Sequence, residues 1–494
     1  MNSLSHFDSY QPCLPPEILD LFVDALYDCP YINSKSPTLR ACSLVSRAFA
    51  ARARKYLFER VDLRVTTETI EQAEDIYEIM SWTPRALGSG GHLSGIAPFI
   101  RVLSVDIWCA QRSVVVRAEN VLSAIFQGLH GPEHGIEDLF LSYEEVWGNI
   151  GLGLRHSLSD LLRSPRLKTL SLTGFLGLPT MLLVGSRIED LTLDSIESDD
   201  QPCFYSSRYP VHERTYPQLK HLSVRLTDSD HVIPLLETST TSALNLVSEF
   251  SASIDTDDDY MDLVPLLRRM EKTLQTISLN FGSGTHIRTL ITHYLNFDAF
   301  PDSYFQPEYL VPVDLSKMPN LTEIQFTYDG SSEVSYSDGL RITIILLSML
   351  CAPPSLHTLD MTFITDHTWS PDDPSLPPLI KTLTMPAELN GWTELNGVIA
   401  EMTMVKKVVM TICTISCKGN EEATKELSER VERLMRTAMP HFSGTGKVPE
   451  LVLQFPVADE DEEDEEEGNE DETENGDESK DEDEDESENE TWLD

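Results

Sequence analysis

From about residue 58 to residue 457 the chain repeats a short apolar pulse, Φ-x-x-Φ-x-Φ, where Φ is an apolar residue. Its clearest copies are Leu167-x-x-Leu170-x-Leu172, Ile188-x-x-Leu191-x-Leu193 and Leu219-x-x-Leu222-x-Val224. Leu274-x-x-Ile277-x-Leu279, Leu321-x-x-Ile324-x-Phe326, Leu356-x-x-Leu359-x-Met361 and Ile380-x-x-Leu383-x-Met385 follow. Weaker copies centre on Val61, Leu103, Leu139, Phe250, Val408 and Leu451. The last two apolar positions of each copy stand two residues apart, so they share one face of a strand. The flanking positions are polar: Thr169, Ser171 and Thr173 in one copy, Asp190, Thr192 and Asp194 in the next, then His221, Ser223 and Arg225. The same holds for Thr276, Ser278 and Asn280, for Glu323, Gln325 and Thr327, and for Thr358, Asp360 and Thr362. Each copy therefore predicts a strand with one buried and one solvated face. Between copies, residues 121–129, 261–270 and 340–350, and Leu427, Val431, Leu434 and Ala438, have helical apolar spacing.

One strand and one helix per unit, stacked side by side, predict an α/β solenoid with a parallel sheet along its concave side. The central apolar residues of successive copies lie 21 to 47 residues apart. The pattern resembles a degenerate leucine-rich repeat, whose period is about 20–29 residues. The tighter spacings fit that period, and the widest require insertions. The turn Asn of the regular repeat is missing: Phe175, Ile196, Gly282, Asp329 and Ile364 stand in its place. The resemblance thus implies strands and stacking rather than a regular horseshoe. Another open α/β sheet with a similar core is the alternative.

The segment before the repeats is different. Leu14, Pro15 and Pro16 precede Glu17, and Ile18, Leu19, Phe22, Val23 and Leu26 form one apolar stripe. Prolines and an acid at the start suit a helix's first turn. A loop with Pro30, Asn33 and Pro37 leads into a second helical stretch, from about Thr38 to Tyr56, with Leu39, Cys42, Val45 and Phe49 at helical spacing. So small a unit cannot bury its apolar surface alone. Leu14-Pro-x-Glu-Ile-Leu, Leu39, Leu44-Val45-Ser46-Arg47-x-Phe49 and Tyr56-Leu57-Phe58 together resemble a fungal F-box. Phe49 stands where that signature usually has Trp, and the inter-helix loop is long. The resemblance implies docking to the adaptor subunit of an SCF-type cullin–RING ubiquitin ligase. Adaptor contacts would then fall on Leu14, Pro15, Ile18, Leu19, Leu39, Val45 and Phe49. The expected organisation is an extension over 1–13, an F-box-like helical domain over 14–60, an irregular leucine-rich-repeat-like domain over 61–457, and an acidic tail over 458–494.

Charge sharpens this picture. The chain carries 37 Lys plus Arg against 82 Asp plus Glu, a net charge of −45. Residues 459–494 hold 24 acids and one Lys, and the remainder is still at −22. Such a surface repels nucleic acid and anionic membrane, so neither is an expected partner. The tail's composition is that of a disordered segment. Deleting 459–494 is accordingly expected to leave the melting temperature nearly unchanged; a large drop in a thermal melt would show that the tail packs on the rest.

No apolar stretch is long enough to cross a bilayer, and the first residues lack the features of a secretory signal. The eight Cys show no C-x-x-C pair and no accompanying His cluster, which suits reduced thiols in cytosol or nucleus and predicts no metal. The Gly444-Thr-Gly-Lys447 echo of a phosphate loop lacks both the earlier Gly and the following Ser or Thr. No catalytic motif is present, and no cofactor is expected. The resulting expectation is a non-enzymatic substrate receptor: the F-box docks to the ligase adaptor and the repeats hold a protein target. The proposed target contacts are Asp190, Asp194, Arg225, Glu323 and Asp360, on a mildly acidic face that suits a basic target. The alternative is an acidic leucine-rich-repeat protein that chaperones basic proteins or regulates a small GTPase.

Overall fold

The computed structural model describes residues 15–28, 35–45, 47–81, 96–108, 111–130, 135–199, 216–237, 241–254, 257–281, 315–329, 340, 343, 344, 347, 355–365, 383, 384, 391–414, 421–440 and 450–454. Two compact units are distinguished, Met1–Val457 and Ala458–Asp494. The second, with the acidic tail, lies outside the described residues, as do Leu14, Gly88 to Gly95 and Gly444 to Lys447.

Three helices come first: α1 (Pro16–Asp28), α2 (Lys35–Val45) and α3 (Arg47–Leu57). The stretch expected as one helix from Thr38 to Tyr56 is thus two. Within α2 the Ser43 hydroxyl donates to the Arg40 carbonyl at 2.7 Å. Val23, Leu39 and Ala53 form the small core of this unit.

From Arg60 onward the chain builds a mixed α/β structure around a large parallel sheet. Its strands are β1 (Arg60–Thr66), β2 (Val102–Trp108), β3 (Asp138–Val146), β4 (Thr169–Leu176), β6 (Asp190–Asp194) and β8 (His221–Arg225). Next come β9 (Glu249–Ile254), β10 (Thr276–Phe281), β11 (Glu323–Asp329), β12 (Thr358–Thr365), β13 (Lys407–Thr414) and β14 (Glu450–Gln454). Each pairs in parallel with the strand before and after it in this order. A separate short pair joins β5 (Leu178–Pro179) to β7 (Ser198–Asp199).

The register shows why the sequence folds this way. Val61, Leu103, Leu139, Leu170, Leu191, Leu222, Phe250, Ile277, Ile324, Leu359, Val408 and Leu451 stand side by side in one row across the sheet. Twelve of the thirteen apolar markers are therefore one column of the fold. The thirteenth is a correction: Leu383 and Thr384 are helical, and Leu383 is buried. Ile380 and Leu383 are three apart, a spacing that serves a helix as well as a strand.

Inward residues alternate with outward ones along every fully described strand of the sheet as far as β10, apart from a phase change near the end of β4. A parallel sheet covered on both faces would be apolar throughout; as far as β10 this one keeps a polar face open. Helices cover the other. They are α4 (Ile70–Ser81), α5 (Arg112–Leu129), α6 (Leu152–Leu161), α7 (Ser229–Leu236), α8 (Asp257–Met270), α9 (Trp392–Glu401) and α10 (Glu421–Ala438). In α5, for example, Ala118, Leu122, Ile125, Phe126 and Leu129 point into the core shared with the strands.

A second regularity precedes the strands. Arg101 N donates to Glu59 O, Glu137 N to Arg101 O, Lys168 N to Glu137 O, and so on through Glu189, Lys220, Ser248, Gln275, Thr322, His357 and Lys406, all at 2.7–2.9 Å. Each unit is thereby stitched to the one before at an equivalent backbone position. The first six side chains in this ladder alternate in sign, from Glu59 to Lys220. Ion pairs join Arg101 to Glu137 at 3.4 Å and Lys220 to Glu189.

No helix among the described residues is long and apolar enough to cross a membrane.

Candidate functional sites

The first candidate site is the surface of α1–α3. A short helix unit with few inward positions leaves large apolar side chains outside. Ile18 is 48% exposed and Val45 70% exposed, and Leu21, Phe22 and Leu44 are exposed too. Of the expected contacts, Pro15 is exposed, Leu19 half-buried and Leu14 outside the described residues. Leu39 corrects the expectation: at 3% exposed it belongs to the core and holds the helices together. Phe49 is half-buried and meets Phe22 edge-on, with ring centroids 6.0 Å apart. Leu21, Phe22 and Leu44 are additions to the expected set. Their signal was in the sequence, since Ile18, Leu21 and Phe22 stand at i, i+3 and i+4.

A polar cluster locks α1 to α3. Arg52 grips both oxygens of Asp24 at 2.6 Å each, and the Tyr56 hydroxyl donates to Asp24 Oδ1 at 2.7 Å. The Tyr56 ring stacks on Tyr27 at 4.2 Å. The Arg52 and Tyr56 hydrogen bonds hold the Asp24 carboxyl down at about 2, against 3.8 ordinarily. Burial, then the bond to Asp24, pushes the Tyr56 phenol up to about 12. Because the folded pKa of Asp24 is depressed, its contribution is fully present above about pH 4 and is lost as pH falls through about 2. Asp24→Asn is expected to lower amide-exchange protection in α1–α3 at pH 7. The gap to the parent should close as pH approaches 2; a gap independent of pH would show that the cluster does not depend on the Asp24 charge.

The second candidate site is the open sheet face. Asp190, His221 and Glu249 are adjacent in one row across β6, β8 and β9. His221 Nδ1 contacts Asp190, and Nε2 lies 2.9 Å from Glu249. Burial disfavours the imidazolium, but the bonds to Glu249 and Asp190 outweigh it and raise the His221 pKa above its ordinary value. Asp194 faces Arg225 across the β6–β8 register, and the Ser195 hydroxyl donates to Asp194 at 3.0 Å. Glu323 and Asp360 stand apart from these, on β11 and β12, with β9 and β10 between. The Gln325 amide donates to Glu323 at 2.8 Å. Burial, then the nearby Glu323 charge, raises the Asp360 pKa against the opposing pull of Lys407. Asp360 Oδ1 and Asn280 Oδ1 are buried acceptors with no hydrogen bond among the described residues.

The five expected target contacts thus fall into two groups on one face, Asp190, Asp194 and Arg225 in one and Glu323 and Asp360 in the other. Glu249 joins the first group; it flanks Phe250 in one of the weaker copies of the pulse, where the sequence signal is faint. Around these five residues the face presents carboxylates and hydroxyls, a chemistry of charge and hydrogen bonding. Among the described residues no group of His, Cys, Asp and Glu side chains is placed to hold a metal. No known family and no curated protein matches this sequence.

Proposed function

We propose that this chain is a substrate-recognition subunit of an SCF-type cullin–RING ubiquitin ligase. In this reading α1–α3 act as an F-box that docks to the ligase adaptor, and the sheet domain is an irregular leucine-rich-repeat-like solenoid that holds a protein target. The mechanism is proximity: a tethered target meets the ubiquitin donor at high effective concentration. The chain itself performs no chemistry, needs no cofactor, and works in cytosol or nucleus.

The observation that carries the reading is the exposure of Ile18, Leu21, Phe22, Leu44 and Val45 on a unit whose own core is Val23, Leu39 and Ala53. Several large apolar side chains left exposed on so small a helical unit call for a partner, and the Leu14-Pro-x-Glu-Ile-Leu motif suggests which kind. The sequential parallel strands and the repeated 2.7–2.9 Å stitch between units support the solenoid. The test is capture of the purified adaptor subunit by the full chain and by an Ile18→Asp/Val45→Asp variant. Capture by the first and not the second supports the reading. No capture by the full chain overturns it and favours an acidic repeat protein that binds basic partners without a ligase.

A further inference from the structure

We propose that the open face of β2–β4, continued onto β6, seats the target's contact segment, and that this segment is an extended stretch pairing a large apolar side chain with Lys or Arg. The inference rests on the reading that the sheet holds a protein target, and it names that target's chemistry.

The outward positions of β6, β8, β9 and β10 are charged, hydroxyl or amide side chains throughout. On β2–β4 they are not. Trp108, 57% exposed, and the exposed Val146 and Leu176 end three adjacent strands, and Phe140 is exposed nearer the middle of the same face. Val146 and Leu176 are direct register partners. The Trp108 indole N–H donates to Asp106 Oδ1 at 2.8 Å, which fixes the ring's orientation.

The backbone is shaped to present this rim. The β3–β4 register shifts between Ser142 and Glu145, opposite Gly174. That residue has φ +79°, and a Cβ there would lie 3.0 Å from Glu144 Cγ and 3.3 Å from its Cα. On β4 the burial alternation changes phase at Gly174 and Phe175, both buried. Leu170 and Leu172 point inward, so strict alternation would bury Leu176 as well; the phase change turns it out. Bulges commonly re-aim side chains at recognition sites.

Charge selects the occupant. The outward positions of β2, β3, β4 and β6 include Asp106, Asp138, Glu144, Asp190 and Asp194, and no Lys, Arg or His. Cations appear only on the flanking strands, at Arg60 and Arg64 on β1 and at His221 and Arg225 on β8. A purely apolar segment would strip water from these carboxylates without replacing it. An acidic one would be repelled. A segment with one large apolar residue for the rim and Lys or Arg for the carboxylates satisfies both. Four strands at roughly 4.8 Å spacing are crossed by about five extended residues.

The test uses the full chain panned against displayed random 12-residue peptides, with recovered peptides then synthesised and titrated by fluorescence anisotropy. Recovered peptides should carry an aromatic or large aliphatic residue within a few positions of Lys or Arg, and should bind more tightly at low salt. Trp108→Ala/Leu176→Ser should weaken them at least tenfold. Asp138→Lys/Glu144→Lys, which leaves the Trp108–Asp106 bond in place, should do the same through charge. Recovery of no peptides, of acidic or unpaired ones, or of peptides that keep their affinity in both variants overturns the proposal. Adaptor capture is measured on the same samples. Lost adaptor capture with intact peptide binding defeats the F-box reading alone, and the reverse defeats this inference alone.

Discussion

Phe363→Ala lowers the stability of the sheet domain by about 3–5 kcal/mol, the range for emptying a large aromatic site in a packed core. Phe363 is fully buried on β12, and its ring lies 4.7 Å from Tyr328 and 5.5 Å from Trp392. Phe281 continues the column, 5.6 Å from Tyr328, and all four rings are buried. Phe281, Tyr328 and Phe363 are register partners on β10, β11 and β12. Stacked rings of this kind contribute beyond the area they bury, and a hole in the middle of the column cannot be closed by moving one neighbour. Tyr328 adds a polar tie to the buried Thr343 hydroxyl. Burial raises the Tyr328 pKa well above the ordinary phenol range despite that bond. The contrast is Phe140→Ser, an equally large change on the open face, which should stay within about 0.5 kcal/mol. Thermal melts and amide exchange of β10–β13 separate the two. Equal, small effects would mean that the column is not part of the cooperative core.

The strands were legible in the sequence because their signal is period two and repeats: a Leu170 or Ile277 with polar neighbours has no other consistent reading. What was not legible depends on phase and on neighbours. Ile380 and Leu383 could serve strand or helix, and nothing local decided between them. Leu176 follows Leu170 and Leu172 in even step, so only Gly174's left-handed backbone reveals that it faces out. The alternating charges from Glu59 to Lys220 look like scattered loop residues until the register aligns them. On α1 the apolar stripe was plain, yet it divides in the fold, with Val23 buried and Ile18 and Phe22 exposed. A stripe shows that a helix has an apolar face; how much of it the neighbours cover is a property of α2 and α3. For the same reason Leu39, matched to a contact position by motif, turned out to be core.

That division of labour decides how the docking reading should be attacked. Ile18→Asp/Val45→Asp places two charges on exposed positions, so α1–α3 should keep their circular dichroism and melting behaviour. Adaptor binding should nonetheless fall by a hundredfold or more, about 3 kcal/mol. Interface energy is concentrated in a few central apolar anchors, and a carboxylate in an apolar groove has no counter-charge to replace its water. Leu39→Ala should behave in the opposite way. It empties a site in a core of very few residues, so helix stability falls by about 2–5 kcal/mol, and binding is lost only as far as the unit unfolds. Lowering the temperature should therefore restore binding to Leu39→Ala and not to the double Asp variant. An Asp variant that is folded and binds the adaptor as well as the parent would remove α1–α3 as the docking surface, whatever the motif suggests.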